Sequence, residues 1–209
     1  MRAGALTSVM SSLTLPHRLI FIRHGETNWN AEGRLQGQKD IPLNGKGRAQ
    51  AVSAGKDALK FIKHHAIEDV AFVASPLNRT RETMQLAREA MGLDPFVYET
   101  ESRLMELTFG QWEGLTWPEV KARDPWAAKA REGDKWLFQP PEGESYAMLA
   151  ERLRPWLATI TRDTLIVSHG GVARALMAMI GGIAPSEASV ADIHQGRVLL
   201  FEAGQRAWL

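Results

Sequence analysis

The chain has no cysteine, which removes disulfides, thiolate nucleophiles and cysteine-based zinc sites together. That composition suits a reducing compartment, and a cytoplasmic location is the expectation it leaves. Net charge is nearly absent as well: 25 lysines and arginines stand against 24 acidic residues, a formal +1. A dedicated nucleic-acid or membrane surface needs a large basic excess, so neither partner is expected. No apolar run approaches the length of a membrane span. Residues 1–16 contain no acidic side chain, yet they lack the apolar region and cleavage site of a signal peptide. They read as a flexible leader.

What remains is the ordinary make-up of one globular domain over residues 17–209, long enough to bury a real core. Three apolar runs organise it, each bounded by turn-forming residues as buried strands are. Leu19 to Ile22 runs into Arg23-His24-Gly25. Val70 to Ala74 runs into Ser75-Pro76, with Ser75 as N-cap, Pro76 at the first helical position and Arg79 in the first turn. Thr164 to Ser168 runs into His169-Gly170-Gly171, the two glycines opening another helix. Between these runs, residues 27–42 read as a loop. Asn44 caps a helix running to Lys63, with His64 and His65 on its solvated end. A helix after Arg79 stops at Gly92, and Phe96-Val97-Tyr98 reads as a third, short strand. Residues 101–145 hold Trp112, Trp117, Trp126 and Trp136 with only short helical signals, and are expected to form a lid or side subdomain. Residues 146–160 are helical despite Pro155. The stretch from Ala188 to Phe201 reads as two strands joined around Gln195-Gly196.

With right-handed βαβ crossovers, the strand tips share one edge of a mostly parallel sheet, where open α/β sheets bind ligands. Two arginines, two histidines and helix-start amides would converge there, a set that suits a dianionic phosphoryl group. Arginine forks match its oxygens and disfavour imidazolium, leaving a neutral histidine able to attack phosphorus. A departing alkoxide also needs a proton, and Glu106 at the start of the lid is the candidate donor.

The motifs Arg23-His24-Gly25-Glu26-Thr27, Asn30, Ser75-Pro76-Leu77-x-Arg79-Thr80-x-Glu82-Thr83, Glu106 before Gly110-x-Trp112-Glu113-Gly114, and Ser168-His169-Gly170-Gly171 occur in order. Together they resemble the histidine phosphatase superfamily, also called the phosphoglycerate mutase-like family. The resemblance covers nearly all of the chain after residue 17. It implies a three-layer α/β/α sandwich with a mostly parallel central sheet and a lid-like insertion. It also implies a phosphohistidine mechanism that needs no metal or cofactor. His24 would take the phosphoryl group, Arg23, Arg79 and His169 would hold its oxygens, and Glu106 would occupy the proton donor's place. Asn30 matches an additional phosphate contact, with Gln36 and Gly170 as further substrate-binding candidates.

The expected substrate is a small-molecule phosphate ester. Lys39, Lys121, Arg123, Lys129, Arg131 and Lys135 are candidates for a second anion, a solvated face being the plainer reading of each. A homodimer through the last two strands is possible. A non-catalytic phospholigand module is an alternative, and so is a metal hydrolase on His24, His169 and Glu106. Phosphoglycerate mutase is the nearer one. Against it, the segment from Glu106 to His169 is short and has no adjacent arginine pair. Offered 3-phosphoglycerate with catalytic 2,3-bisphosphoglycerate, the protein is therefore expected to release phosphate. Rapid isomerisation with little free phosphate would contradict the phosphatase reading.

Overall fold

The computed structural model describes residues 15–62 and 67–209. Residues 1–14 of the expected leader, and Lys63, His64 and His65, lie outside the described residues. The first strand, β1 (Leu19–Arg23), shows why its sequence is an unbroken apolar run: Leu19, Ile20, Phe21 and Ile22 are all buried. A strand covered on both faces needs apolar side chains at odd and even positions alike. Leu19 and Phe21 join Ile166, Leu199 and Phe201 in one core. Ile20 and Ile22 join Leu165, Val167, Val198 and Leu200 in another.

The elements follow in the order α1 (Asn28–Ala31), α2 (Gly45–Ile62), β2 (Ala71–Ala74), α3 (Asn78–Ala90), β3 (Glu99–Thr100), α4 (Trp117–Arg123), α5 (Pro125–Gly133), α6 (Tyr146–Leu157), β4 (Thr164–Ser168), α7 (Gly170–Ile180), α8 (Pro185–Ala188), β5 (Val198–Glu202) and β6 (Gln205–Trp208). The six strands form one sheet in the order β3-β2-β4-β1-β5-β6. β1, β2, β3 and β4 pair in parallel, whereas β5 pairs antiparallel with both β1 and β6. Helices α6 and α7 cover the face carrying Phe21. Helices α2 and α3 cover the face carrying Ile22. The architecture is the expected three-layer α/β/α sandwich. No helix among the described residues is long and apolar enough to cross a membrane.

Several local expectations change. Phe96 and Val97 are 73% and 63% exposed and lie in a turn, because Asp94 accepts the Phe96 N–H through Oδ1. The third strand is instead Glu99–Thr100, paired with Val73 and Ala74. Helix α3 starts at Asn78 with Leu77 in the cap position, so Ser75 and Pro76 precede it. The terminal hairpin is Val198–Glu202 with Gln205–Trp208, turning at Ala203-Gly204, both at positive φ. Residues 27–42 hold the short helix α1, closed by a capping box between Thr27 and Asn30. The region 101–145 contains α4 and α5 around a small core of Trp112, Val120 and Ala128, with Trp126 exposed.

Phe21, fully buried at the centre of one core, gives a direct test of this packing. Phe21→Ala is expected to lower the unfolding free energy by about 3–5 kcal/mol. Urea unfolding measures it, and a loss under about 1 kcal/mol would contradict the packing.

Candidate active site

His24 is the residue after β1, and its N–H donates to the Ser168 carbonyl at 2.9 Å, extending the β1–β4 pairing by one step. The chain then turns at Gly25, whose N–H donates to Thr83 Oγ1 at 3.1 Å. A Cβ on Gly25 would stand 2.1 Å from the Gly47 carbonyl oxygen, and one on Gly47 would stand 2.1 Å from that of Glu26. Only glycine on both sides lets the loop lie this close to the start of α2. Asn44 fastens the same junction: its Oδ1 accepts from Gly47 N and its Nδ2 donates to Glu26 Oε1.

This placement fixes the tautomer of His24. Its Nδ1 lies 2.8 Å from the Gly25 carbonyl oxygen, which can only accept, so Nδ1 carries the proton and Nε2 keeps its lone pair. Nε2 has no hydrogen-bond partner among the described residues. His169 stands at the equivalent point after β4, caps α7, and faces His24 with ring centroids 5.2 Å apart. Its Nε2 lies 2.8 Å from Ser75 Oγ.

Two arginines complete the centre. Arg79, on the first turn of α3, is fully buried and donates to the carbonyls of Lys39 at 2.6 Å and Gly37 at 2.7 Å. Arg23 donates to the Ile193 carbonyl at 2.8 Å. Among the described residues, the buried side-chain polar atoms left without a partner are Arg23 Nε, Arg79 Nε and His169 Nδ1. Native proteins seldom orphan such atoms, since each costs about 1–3 kcal/mol. All three belong to residues that neighbour His24.

The electrostatics agree. Burial, then the positive charges of Arg79 and Arg23, hold the His24 pKa well below the usual histidine range. Burial does the same to His169, followed by Arg79, His24 and Arg23. Arg23 is itself lowered to about 10, chiefly by burial and then by Arg174. It remains a cation at neutral pH beside two neutral imidazoles.

Glu106 reaches this centre from the lid. Ser168 Oγ donates to the Leu104 carbonyl at 2.8 Å and Arg152 donates to that of Met105 at 3.1 Å, fixing the backbone just before it. Its carboxylate accepts from Leu107 N and from Gly171 N, each at 3.0 Å. The second contact sets it at the positive end of α7. A Cβ on Gly171 would fall 2.2 Å from Glu106 Oε1, which explains the second glycine of the motif.

The remaining candidates lie on the same rim. Asn30 Oδ1 is occupied by Thr27 N at 3.2 Å and by Gln195 Nε2 at 3.1 Å. The buried Gln36 accepts from Thr27 Oγ1 at 3.0 Å. Gly170 opens α7, its Cβ position 3.5 Å from Arg23 Nε. Sequence reasoning missed two residues here. Gln195, assigned to a hairpin turn, donates to the His24 carbonyl as well as to Asn30. Ser75, assigned to a helix cap, bonds His169 instead. Among the described residues no three His, Asp or Glu side chains gather as a metal ion requires. A surface groove of about 570 Å³ along β2 and β3 contains none of these groups.

The family model for branch 1 of the histidine phosphatase superfamily matches residues 19–209. The chain belongs to that superfamily. An acid phosphatase of Mycobacterium tuberculosis is 35% identical over 77% of this chain and 74% of its own length. A probable phosphoglycerate mutase of Salmonella arizonae is 35% identical over 79% and 75%. The structure of mycobacterial glucosyl-3-phosphoglycerate phosphatase in complex with VO3 superposes with a TM-score of 0.74, at 30% identity over 92% and 96% of the two chains. The expected enzyme class, a phosphatase of this superfamily, agrees with the acid phosphatase and the glucosyl-3-phosphoglycerate phosphatase.

Both histidine pKa values are depressed by folding, so below about pH 6.5 the unfolded chain binds more protons than the native one. Stability is therefore expected to fall as pH drops from 7 to 5, by up to about 1.4 kcal/mol per pH unit for each histidine. The slope should flatten in His24→Gln. Urea unfolding across this range checks it, and an equal slope in the two proteins would contradict the assignment.

Proposed function

We propose that this protein is a metal-independent phosphomonoester hydrolase that works through a phosphohistidine on His24. The observation that carries the reading is the group of unpartnered nitrogens on Arg23, Arg79 and His169 around a single-tautomer His24. Guanidinium and imidazole N–H groups are the donors a phosphoryl group requires. When the Ser75 hydroxyl donates to Nε2 of His169, the ring proton sits on Nδ1 and all three of these nitrogens are N–H donors.

In the first step His24 Nε2 attacks phosphorus and the ester P–O bond breaks. The leaving oxygen takes a proton from Glu106, and the proton on Nδ1 stays there, hydrogen-bonded to the Gly25 carbonyl, which stabilises the charge that grows on the ring. Arg23, Arg79 and His169 hold the phosphoryl oxygens from start to finish, where fixed positive charge stabilises the transition state most. In the second step a water molecule gives its proton to the Glu106 carboxylate and attacks phosphorus. The P–N bond then breaks to release inorganic phosphate and neutral His24. A mutase would differ only in what receives the phosphoryl group. A metal ion is opposed by the two guanidinium groups beside both histidines.

Glu106 gives the sharpest test of this chemistry. Glu106→Gln is expected to slow hydrolysis of an alkyl phosphate by about a hundredfold or more, because an alkoxide cannot leave unaided. Hydrolysis of p-nitrophenyl phosphate, with its stable leaving group, should lose far less. Equal losses on both substrates, or activity abolished by chelator, would contradict the mechanism.

A further inference from the structure

The segment between α8 and β5 adjoins the site, and the proposed chemistry assigns it no part. The carbonyl of Ile193 accepts from Arg23 Nη1 at 2.8 Å, and that of Ala191 accepts from Arg174 Nε at 2.9 Å. Gly196, at φ +74°, lets the segment lie close to α2, since a Cβ there would stand 3.1 Å from that of Gln50. Gln50 Oε1 in turn accepts the Glu26 N–H at 2.8 Å, just after the His24-Gly25 turn. The segment is thus fastened both to Arg23 and to the helix that holds the nucleophile's loop. Gln195 lies between these fastenings.

The hydrogen bonds here fix the direction of two side-chain amides. The His24 carbonyl oxygen can only accept, so the Gln195 atom 3.2 Å from it is Nε2, the NH2 end. The Thr27 N–H can only donate, so the Asn30 atom 3.2 Å from it is Oδ1. Gln195 Nε2 donates to that same Oδ1 at 3.1 Å. Turning the Asn30 amide over would set its NH2 against a backbone N–H and another NH2, donors without an acceptor between them. Asn30 Nδ2 itself has no hydrogen-bond partner among the described residues. The capping box ties Asn30 only to its own short helix, α1. Through Gln195 the side chain is tied to the backbone of the nucleophile.

We infer that Gln195 is a positioning residue, holding the Asn30 amide beside His24 with its NH2 presented to the phosphoryl group. This rests on the phosphohistidine reading and adds to it the residue that orients one more donor. Arg23, Arg79 and His169 supply the other N–H groups; Asn30 supplies a neutral one whose direction is set before substrate arrives. A donor fixed in advance needs no reorganisation when charge grows on the phosphoryl oxygens.

Calorimetric binding of inorganic vanadate tests this independently of turnover. Asn30→Ala and Gln195→Leu are each expected to weaken vanadate by about tenfold, the loss of one hydrogen bond to a charged group. Gln195→Leu added to Asn30→Ala should weaken it no further, because Gln195 acts through Asn30. Gln195→Glu keeps the shape but sets a carboxylate against two acceptor oxygens, so it should lose at least as much. Asn30→Asp still accepts from Thr27 and Gln195 but has an oxygen where the NH2 was. It should therefore melt with the wild type and yet bind vanadate more weakly than Asn30→Ala. In turnover, Gln195→Leu should slow p-nitrophenyl phosphate and an alkyl phosphate by the same factor, since the lost contact is to the phosphoryl group. Additive losses in the double variant, unchanged vanadate binding in either single variant, or Asn30→Asp binding as well as wild type would overturn the inference. No turnover of any ester by folded wild type would count against the phosphatase reading instead, with the vanadate series still deciding the role of Gln195.

Discussion

Two buried guanidinium groups packed against two imidazoles impose the constraint on which the rest of this structure depends. Burying cations beside one another is costly unless their donors are satisfied. Here the protein satisfies them only in part, with the carbonyls of Gly37, Lys39 and Ile193. The nitrogens left over belong to residues around His24. The same charges keep both histidines neutral, and the Gly25 carbonyl selects the tautomer that leaves Nε2 free. On the proposed mechanism, one arrangement supplies both the dianion's binding site and the activated nucleophile.

Holding that arrangement requires loops far apart in sequence to be fixed to one another. The parallel pairing of β1 with β4 sets His24 and His169 side by side, and β2 brings Ser75 and Arg79 to the same edge. The carbonyls that receive Arg79 belong to the loop after Gln36, which is tied to the lid by Glu113. Its carboxylate accepts from Gln38 N at 3.0 Å, Thr108 Oγ1 at 2.8 Å and Phe109 N at 3.2 Å. Gln38 in turn donates to the Glu106 carbonyl at 3.1 Å. Arg79 and the Glu106 segment therefore share a support, so a change at Glu113 reaches both.

The sandwich and the strand-tip residues were legible because a buried parallel strand writes an unbroken apolar run, and the charged residues stand where that run stops. His24, Arg79 and His169 could be placed from this alone. Residues recruited by tertiary geometry left no such trace. Gln195 looks like a turn residue, and its contact with the His24 carbonyl exists only because the chain returns to β1 from the far end of the sequence. Ser75 has the sequence setting of a helix cap, but the turn after it delays α3 by two residues and frees its hydroxyl for His169. Phe96 and Val97 carry strand propensity, yet the Asp94 turn leaves them outside the sheet.

The central claim is that His24 becomes covalently phosphorylated. The most direct measurement is acid-free rapid quenching during turnover of an isotopically labelled phosphate ester, followed by peptide mapping of the trapped protein. The account predicts one labelled peptide containing His24, with a bond stable to alkali and labile to acid, formed and lost at rates that support turnover. Steady turnover without a labelled intermediate, or label on His169 in place of His24, would contradict it.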